Sequence, residues 1–353
     1  MDKWSRKMGM IVLIFAFTML LFFPLLGGYV AYKKNNSQTL VIKQDRSKNP
    51  RYFADAFIKL FEEKWINYDG SGKLKFSHEE SIIEADKTAL YKSKCDSVVY
   101  AEKIDFNPEP TGIQFYKEIY VKKNAYLRGV IQLRAIACLS NVLIGENTEI
   151  IRWADAQNEL IVLDNCDLGI STTSGNELII GINCLFRRLY APVIYIGQKP
   201  EQKWSAYNTI DKKILYLVPK TETKRNLKYI DKFLINESGI AEFSVVSKRN
   251  VTVVENIIVQ GSIRSHKGIR ICDGVIVCGN LFAEGNIVLG KNVCVLGSIF
   301  TQGDIIVESR VMIGQKNKIV SIVARGRIEF SENSVVYGNV SCEGGGKISK
   351  WLE

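Results

Sequence analysis

Residues able to do acid–base or metal chemistry are scarce in this chain of 353 residues. It contains two histidines, His78 and His266. His78 precedes two glutamates, but the helical metalloprotease pattern needs a second histidine one turn later, and none follows. We therefore expect a solvated polar segment at His78, and neither a histidine-based catalytic triad nor a histidine-rich metal site.

One glycine-rich stretch comes close to a phosphate-binding loop. Gly285 to Asn292 reads GNIVLGKN, which lacks the final hydroxyl that would ligate magnesium. Ile287 and Leu289 within it also belong to an apolar repeat described below. The repeat predicts a strand and a corner here, with no helix N-terminus to receive a phosphate. We expect no nucleotide site, no catalytic residue, no cofactor and no metal.

Composition places the chain among folded proteins with a large β component. Hydrophobic residues make up 46% of it, which excludes a disordered chain, and its length suffices for one large or two medium domains. The 27 glycines, together with few long helical patterns, favour β structure. The net charge of +10 is spread along the chain, so we attribute it to solubility and to attraction toward an anionic membrane surface.

The N-terminal segment 1–32 predicts a transmembrane anchor. Met8 to Tyr32 carries no charged side chain over 25 residues, and about 20 apolar residues suffice for a helix to cross a bilayer. A cleaved signal peptide is the alternative, although no small-x-small cleavage site follows the run. We expect an uncleaved, single-pass helix.

Charge and cysteine usage both bear on orientation. More cations follow the apolar run than precede it, so the positive-inside rule favours a cytoplasmic C-terminal domain. None of the eight cysteines has CxxC spacing, and a domain of this size needs no disulfide framework. We expect them to be small apolar core residues. Their even number leaves disulfides open if the domain is exported.

The segment 33–111 predicts a juxtamembrane linker and helical region. Residues 33–48 are polar and basic, which is typical of a linker. Apolar residues at helical spacing, after a proline suited to a helix start, predict an amphipathic helix from about Pro50 to Ile66. Glu79 to Tyr91 predicts a second short helix. We expect the first helix to pack against the following domain; the alternative is a helix lying on the membrane surface.

The segment 242–350 carries a sequence repeat with a constant period. Glycines recur every eighteen positions, and the sequence divides into rungs interrupted once, by a five-residue insertion from Gly314 to Lys318. The rungs are 242–259, 260–277, 278–295, 296–313, 319–336 and 337–350. The corner glycines are Gly261, Gly279, Gly297 and Gly338.

Six positions of each rung form columns when the rungs are stacked. The fourth, tenth and twelfth, sixteenth and eighteenth positions are apolar, and the sixth is small. The columns that we expect to build the core and carry assembly are Val245, Ile263, Leu281, Ile299, Ile322 and Val340; Ile269, Ile287 and Ile305; and Val275, Val293 and Val311.

The spacing of these columns predicts a parallel β-helix. The positions form three pairs, each two residues apart, so each pair faces one side of a short strand. Three such strands in each period describe one turn of a triangular coil, with all six positions facing its axis. One rung cannot bury its apolar face alone, so stacking creates the core. Glycines are expected at corners that need unusual backbone dihedrals.

The segment 112–200 predicts more degenerate rungs of the same kind. Short apolar strands recur in it at the same or a slightly longer spacing, for example at Leu160 to Leu163 and at Leu178 to Gly181. A charged stretch interrupts the pattern, so that 201–241 is an insertion. We prefer one solenoid with a long loop, and two separate solenoids are the alternative.

The regular rungs resemble the bactofilin family of polymer-forming bacterial cytoskeletal proteins. The resemblance rests on Val259 to Ile263, Val277 to Leu281 and Val295 to Ile299, which read VQGSI, VCGNL and VLGSI. Phe186 to Ile194 is similar to a segment of long, membrane-anchored members. The resemblance implies a right-handed β-helix, end-to-end assembly without nucleotide, and a scaffolding role at the membrane.

Together these observations predict an all-β solenoid that serves as a membrane-anchored scaffold. We expect the lipid bilayer, further copies of the chain and unknown client proteins as partners, and no nucleic acid. Assembly would use exposed coil ends, since an uncovered strand edge templates pairing. The candidate end residues are Val340, Cys342 and Ile348 at one end, and Ile119 and Val121 at the other.

Two other functions remain open. Hexapeptide-repeat acyltransferases share the six-residue strand period and commonly need a histidine base in a cleft between neighbouring coils; His266 is the only histidine in the repeat. An outward-facing binding module is the second alternative, although we find no run of exposed aromatic residues at rung spacing that would bind sugars.

Overall fold

A computed structural model describes most of the chain. The described residues are 12–13, 15–20, 22, 49–76, 78–84, 94–106, 112–197, 227–229 and 239–350. The chain divides into two compact units, Met1–Asn49 and Pro50–Glu353. Most of the predicted anchor, Met8 to Tyr32, lies outside the described residues, and those of its residues that are described are helical and exposed. Within the described part of the chain, no helix is long and apolar enough to cross a membrane.

The second unit is a mostly-β parallel solenoid of about 12 turns with about 18 residues per turn. Its strands are short because side chains alternate between the axis and the solvent for only two or three positions before each corner. They fall into a first coil (residues 79–197) and a second coil (residues 239–350), each built on parallel pairing of successive rungs.

The first coil follows the helix α1 (Tyr52–Trp65) and the strand β1 (Lys73–Lys75). Its strands are β2 (Glu79–Glu84), β3 (Lys94–Cys95), β4 (Val98–Ala101), β5 (Ile104–Phe106), β6 (Ile113–Val121), β7 (Ala125–Leu127), β8 (Ile131–Cys138), β9 (Val142–Ile144), β10 (Glu149–Ala156), β11 (Glu159–Val162), β12 (Ser171–Ser174), β13 (Glu177–Ile180) and β14 (Leu185–Ile196).

The second coil is more regular, with three strands per rung. Its strands, with the preceding β15, are β15 (Leu227–Tyr229), β16 (Ile240–Ala241), β17 (Ser244–Ser247), β18 (Val251–Val253), β19 (Ile258–Val259), β20 (Ile263–Ser265), β21 (Ile269–Ile271), β22 (Ile276–Val277), β23 (Leu281–Ala283), β24 (Ile287–Leu289), β25 (Cys294–Val295), β26 (Ile299–Thr301), β27 (Ile305–Val307), β28 (Met312–Ile313), β29 (Val320–Ala324), β30 (Ile328–Ser331) and β31 (Ser334–Ser349).

The coil begins earlier than the sequence predicts. The prediction of a second helix from Glu79 is wrong for the described residues, because Glu79–Glu84 is the strand β2. Ile82 and Ile83 pair in parallel with Val98 and Val99 of β4. Two β-branched residues that can join an apolar ladder outweigh a weak helical pattern. The region 33–111 is therefore helical only in part, and residues 85–91 of the predicted helix lie outside the described ranges.

The helix α1 packs on the flank of the first coil through aromatic rings. The prediction from Pro50 to Ile66 matches Tyr52–Trp65 within two residues at each end. Phe61 is fully buried, with its ring stacked 4.5 Å from that of Tyr120 and 5.9 Å from that of Tyr100. The Tyr120 hydroxyl donates a hydrogen bond of 2.7 Å to Glu62. Burial, more than this bond, raises the pKa of Tyr120 well above its usual range.

A buried ion pair fixes the start of this helix to the coil. The Arg51 guanidinium donates two hydrogen bonds to Asp155 of β10, Nε to Oδ1 at 2.8 Å and Nη2 to Oδ2 at 2.6 Å. The Asp155 side chain is fully buried and also accepts a bond from the Thr173 hydroxyl. The hydrogen bonds to Asp155 raise the pKa of Arg51 above its usual value. A bidentate pair of this kind fixes orientation as well as position.

The predicted columns of the second coil coincide with its paired strands. Val245, Ile263, Leu281, Ile299, Ile322 and Val340 are consecutive ladder partners. All of them are at least 98% buried, as are Ile269, Ile287, Ile305, Val275, Val293 and Val311. Ser334, where the sixteenth column breaks, is buried too, and its hydroxyl donates to the Glu308 carbonyl at 3.1 Å. The insertion from Gly314 to Lys318 forms a turn closed by a bridge between Gln315 and Lys318.

Three of the four corner glycines are required by stacking rather than by dihedral angle. A Cβ on Gly279 would overlap the backbone carbonyl of Gly261, and Gly297 stands in the same relation to Gly279. Gly261 in turn meets the carbonyl of Phe243. Our expectation of unusual dihedrals holds only for Gly338, which has a φ of 131°. The glycine column therefore marks a corner where successive rungs lie too close together to accommodate a Cβ.

Left-handed backbone occurs instead at a second corner, where asparagine prevails. Asparagine tolerates a positive φ better than most residues because its short polar side chain can bond locally. The residues at this corner are Asn147, Asn165 and Asn183 in the first coil, and Asn256, Gly274, Asn292, Arg310 and Asn333 in the second.

Burying a charge should separate inward from outward positions within one strand. We expect Leu281→Asp to destabilise the 50–353 unit by at least about 4 kcal/mol, because Leu281 is fully buried and an aspartate there has no partner. Phe282→Asp, one residue on and 39% exposed, should cost under about 1 kcal/mol. Urea unfolding followed by circular dichroism measures both. Equal losses in the two variants would show that the register is wrong.

Breaking the buried ion pair should loosen the helix from the coil. Asp155→Asn leaves Arg51 without its carboxylate, and we expect a loss of about 3 kcal/mol. Tryptophan fluorescence should change as well, since Trp153 lies 5.7 Å from the Phe57 ring of the helix. The control is Glu102→Gln, which removes the exposed pair with Lys123 and should cost at most about 1 kcal/mol. A similar loss in both variants would contradict the assignment.

Candidate functional site

The two coils meet tail to tail through their last strands. β14, the last strand of the first coil, pairs antiparallel with β31, the last strand of the second. The contact covers all three sides of the coil, with Phe186 opposite Gly346, Leu189 opposite Val340, and Ile194 opposite Val336. We refer to this contact as the junction. Because each coil adds its rungs in one direction, the first rungs of both coils lie away from the junction.

The expectation of one solenoid holds for the stack as a whole, but the chain does not advance through it in a single direction. The ladder is continuous through the junction, but the direction in which successive rungs advance along the axis reverses there. Residue 239 does not continue from residue 197 at the next rung, since Ile240 pairs with Ile258 at the other end of the second coil. Most of the predicted insertion, 201–241, lies outside the described residues, although β15 within it pairs in parallel with β17.

The predicted end residues of the second coil are therefore not at a free end. Val340 and Ile348 are fully buried, and the Ile348 N–H donates to the Cys184 carbonyl of the first coil at 2.9 Å. The Cys342 thiol lies 3.5 Å from the Arg187 carbonyl, and burial raises its pKa to about 11. A last rung that the first coil already covers has no edge left to template pairing.

The predicted end residues of the first coil are interior as well. Ile119 and Val121 lie in β6, which pairs with β4 on one side and with β8 on the other. Earlier rungs precede them, one that includes β2 and the next formed by β3, β4 and β5. Sequence reasoning missed these rungs because their apolar residues do not keep the period of the second coil.

An aromatic ring fills the side of the junction where Phe186 lies opposite Gly346. Phe186 is 98% buried, with its ring 6.1 Å from that of Phe330 in the second coil. A Cβ on Gly346 would overlap the Phe186 ring, so this position must be glycine for the ring to fit. Gly344 to Gly346, a glycine run in the sequence, is thus part of the junction.

A groove of about 710 Å³ lies along this side of the junction. Apolar residues and equal numbers of acids and bases line it, with both coils contributing. The charged residues are Glu149, Asp167, Glu329, Arg187, Arg327 and Lys347. Because both signs of charge are equally represented, the groove favours neither an anionic nor a cationic ligand.

His266 stands on the outer surface of the second coil. Its Nδ1 lies 2.8 Å from Glu284 Oε1, and the two side chains are 41% and 42% exposed. The pair resembles a base oriented by a carboxylate, and it lies at the exposed bend that follows β20. Among the described residues, no group of three histidine, cysteine or acidic side chains is placed to hold a metal ion.

The cysteines lie mainly in the core. All eight fall in the described part of the chain, none of them is in a disulfide there, and six of them are buried. Burial raises the pKa of Cys138 to about 11. The prediction of small apolar core residues fits these positions, with Cys272 and Cys278 more accessible.

The structure also corrects our statement on exposed aromatic residues. Phe282 and Phe300 occupy the same position of successive rungs, where they are ladder partners with exposed fractions of 39% and 36%. Arg264 precedes them and Val323 follows them on the same outward column. The sequence does contain this outward column, at the fifth position of each rung, between the inward fourth and sixth positions.

Comparison of the chain with family models, with curated proteins and with solved structures gave no match. The resemblance to bactofilins therefore stays a prediction from the quoted stretches.

Removing the buried ring should weaken the junction specifically. We expect Phe186→Ala to destabilise the solenoid by about 3 to 4 kcal/mol, because a large buried side chain leaves a cavity. Amide hydrogen exchange should rise in β14 and β31 before it rises in β23. Leu185→Ala, whose side chain is 45% exposed, is the matched control and should cost under about 1 kcal/mol. Uniform exchange across all strands in the Phe186 variant would contradict the junction's role.

Proposed function

We propose that this chain is a membrane-anchored structural scaffold of the bacterial cytoskeleton type that works without a nucleotide. The observation that carries the proposal is the solenoid itself, a single stack in which two coils share one ladder across the junction. A long, hydrogen-bonded stack with a continuous apolar core suits a mechanical role. The described surface offers His266 at an exposed corner and a groove of balanced charge, neither of which favours catalysis.

Self-association is the second part of the proposal. The junction occupies the last rungs, so among the described strands the first rungs of the two coils hold the edges that remain. β18 of the second coil pairs with β21, and among the described strands it has no other partner. We propose that copies of the chain join through these first rungs, which extends the ladder from one molecule to the next.

The anchor and the handedness complete the proposal. We place the chain in the membrane as a single-pass protein through Met8 to Tyr32, with its C-terminal domain in the cytoplasm. Right-handed winding is proposed on the bactofilin resemblance. The charge distribution and the apolar N-terminal run support this arrangement.

A proline in β18, the outermost described strand on its side of the second coil, tests the mode of assembly. The Val251 N–H donates to the Gly268 carbonyl, and the Val253 carbonyl accepts from Cys272. In a parallel ladder the backbone groups of the intervening Thr252 then face away from β21. Thr252→Pro should therefore abolish end-to-end assembly without unfolding the coil, while Thr252→Ala should assemble like the parent.

Negative-stain microscopy and light scattering of the 50–353 unit measure the outcome. Filaments or end-joined oligomers that vanish only in the proline variant would support the proposal. A monomer at all concentrations would contradict self-association. Discrete trimers with acyl transfer that is lost in a His266→Ala variant would favour the acyltransferase alternative.

A further inference from the structure

The outer end of the second coil carries a cluster of cations that form no ion pair with any carboxylate in the described part of the chain. Lys248 and Arg249 follow the strand β17, whose outer neighbour is β15, and Arg264, Lys267 and Arg270 lie one rung further on. All five side chains are exposed. None of them lies within ion-pair distance of a carboxylate among the described residues. We refer to these five residues as the cationic cluster.

The described acidic groups nearby do not neutralise this cluster. The acids of the same two rungs sit at other corners, Glu242 before β17, Glu255 after β18 and Asp273 after β21. The Asp273 carboxylate accepts a hydrogen bond from the Lys291 backbone N–H at 2.9 Å. At the cluster's own corner, Glu284 already pairs with His266. The cationic cluster therefore keeps its net positive charge.

An apolar column adjoins the cationic cluster at Arg264, on the side of the coil formed by β20, β23 and β26. Arg270 lies on the neighbouring side, in β21, and the other three cations lie at the corner between these two sides. The Arg264 guanidinium lies 5.1 Å from the centre of the Phe282 ring, and Phe300 and Val323 continue the column. Each of these three apolar side chains is more than a third exposed. We refer to Phe282, Phe300 and Val323 as the apolar column.

A ladder of polar side chains flanks the apolar column and joins successive rungs. The Asn280 N–H donates to Ser262 Oγ at 3.0 Å, and the Ser298 N–H donates to Asn280 Oδ1 at 2.8 Å. These bonds join successive rungs, so the strands stay in register beneath the exposed rings. A shallow groove of about 570 Å³ runs between the ladder and the rings.

We propose that the cationic cluster and the apolar column together dock on an anionic membrane surface. The cationic cluster would meet the lipid headgroups, and Phe282 and Phe300 would enter the interfacial region beside them. Clustered lysine and arginine residues are attracted to anionic lipids, and exposed apolar side chains add to that binding by burial at the interface. Aromatic rings are also favoured at the level of the headgroups.

An anionic membrane would bind both the cationic cluster and the apolar column, whereas a nucleic acid would bind only the cationic cluster. Phosphates of a duplex would satisfy the cations, but its backbone offers nothing apolar to bury the exposed valine and phenylalanine side chains. The docking surface also lies in a different unit of the chain from the predicted anchor at Met8 to Tyr32. Its failure would leave the proposed scaffold role standing, because assembly through the first rungs does not depend on it.

Vesicle flotation of the 50–353 unit, which has its own core and lacks the predicted anchor, tests the proposal. The unit should bind vesicles of phosphatidylcholine with phosphatidylglycerol, and bind vesicles of phosphatidylcholine alone far more weakly. The double variant Lys248→Glu with Arg264→Glu should lose at least about tenfold in affinity, since each cation near the surface contributes about fivefold. Added salt should weaken the parent more than the variant.

A charge-matched control separates a specific surface from overall charge. Lys103→Glu with Arg152→Glu makes the same charge change on exposed residues of the first coil, and it should alter affinity by less than about twofold. Phe282→Ser with Phe300→Ser should weaken binding while leaving the salt dependence unchanged. Circular dichroism checks that each variant is folded. If the charge-reversal pair is not, the neutral pair Lys248→Ala with Arg264→Ala replaces it.

Three outcomes would overturn the proposal. The first is an equal loss of affinity in the cluster and control variants. The second is binding to neutral vesicles as tight as to anionic ones. The third is tighter binding of duplex DNA than of anionic vesicles by the same face, which would assign the surface to a nucleic acid.

Discussion

The structure depends on parallel backbone pairing between one rung and the next. A single rung has six inward side chains and no partner of its own to cover them, so its apolar surface is buried only when further rungs lie above and below it. Leu281 is fully buried because Ile263 and Ile299 flank it on the ladder. Each rung therefore stabilises its neighbours, and the two coils can close one end each by stacking on one another at the junction.

Close stacking also explains the corners. At the glycine corner, the backbone of one rung approaches the carbonyl of the previous rung too closely for a Cβ. At the asparagine corner, the chain turns through left-handed backbone, and Asn183 donates a hydrogen bond of 3.2 Å to Asn165 one rung away. The serine and asparagine side chains beside the apolar column bond to the next rung's N–H groups. Corners thus satisfy backbone groups that the short strands leave free.

The regular part of this fold could be predicted from the sequence, and the junction could not. The constant period of the rungs places Val245, Ile263 and Leu281 in one column whatever the rest of the chain does. The junction joins residues about 150 positions apart in antiparallel pairs, such as Leu189 with Val340, and no local period records that contact. The outward column of Phe282 and Phe300 was visible in the alignment of rungs, but exposure on a sheet face becomes clear only when the inward positions are fixed. The rungs before residue 112 were missed because β2 and β4 do not keep the period.

The reversal at the junction is the claim that most affects function, because it determines which rungs are left at the outer ends. Electron spin-label distances test it directly, in a 50–353 unit with Cys272→Ser and Cys278→Ser. Labels at Tyr190→Cys and Asn339→Cys occupy paired strands and should lie close together. Labels at Tyr190→Cys and Val246→Cys should lie about 29 Å apart, six rungs along the ladder. A short distance from residue 190 to residue 246, with a long one to residue 339, would show continuous winding and contradict the account.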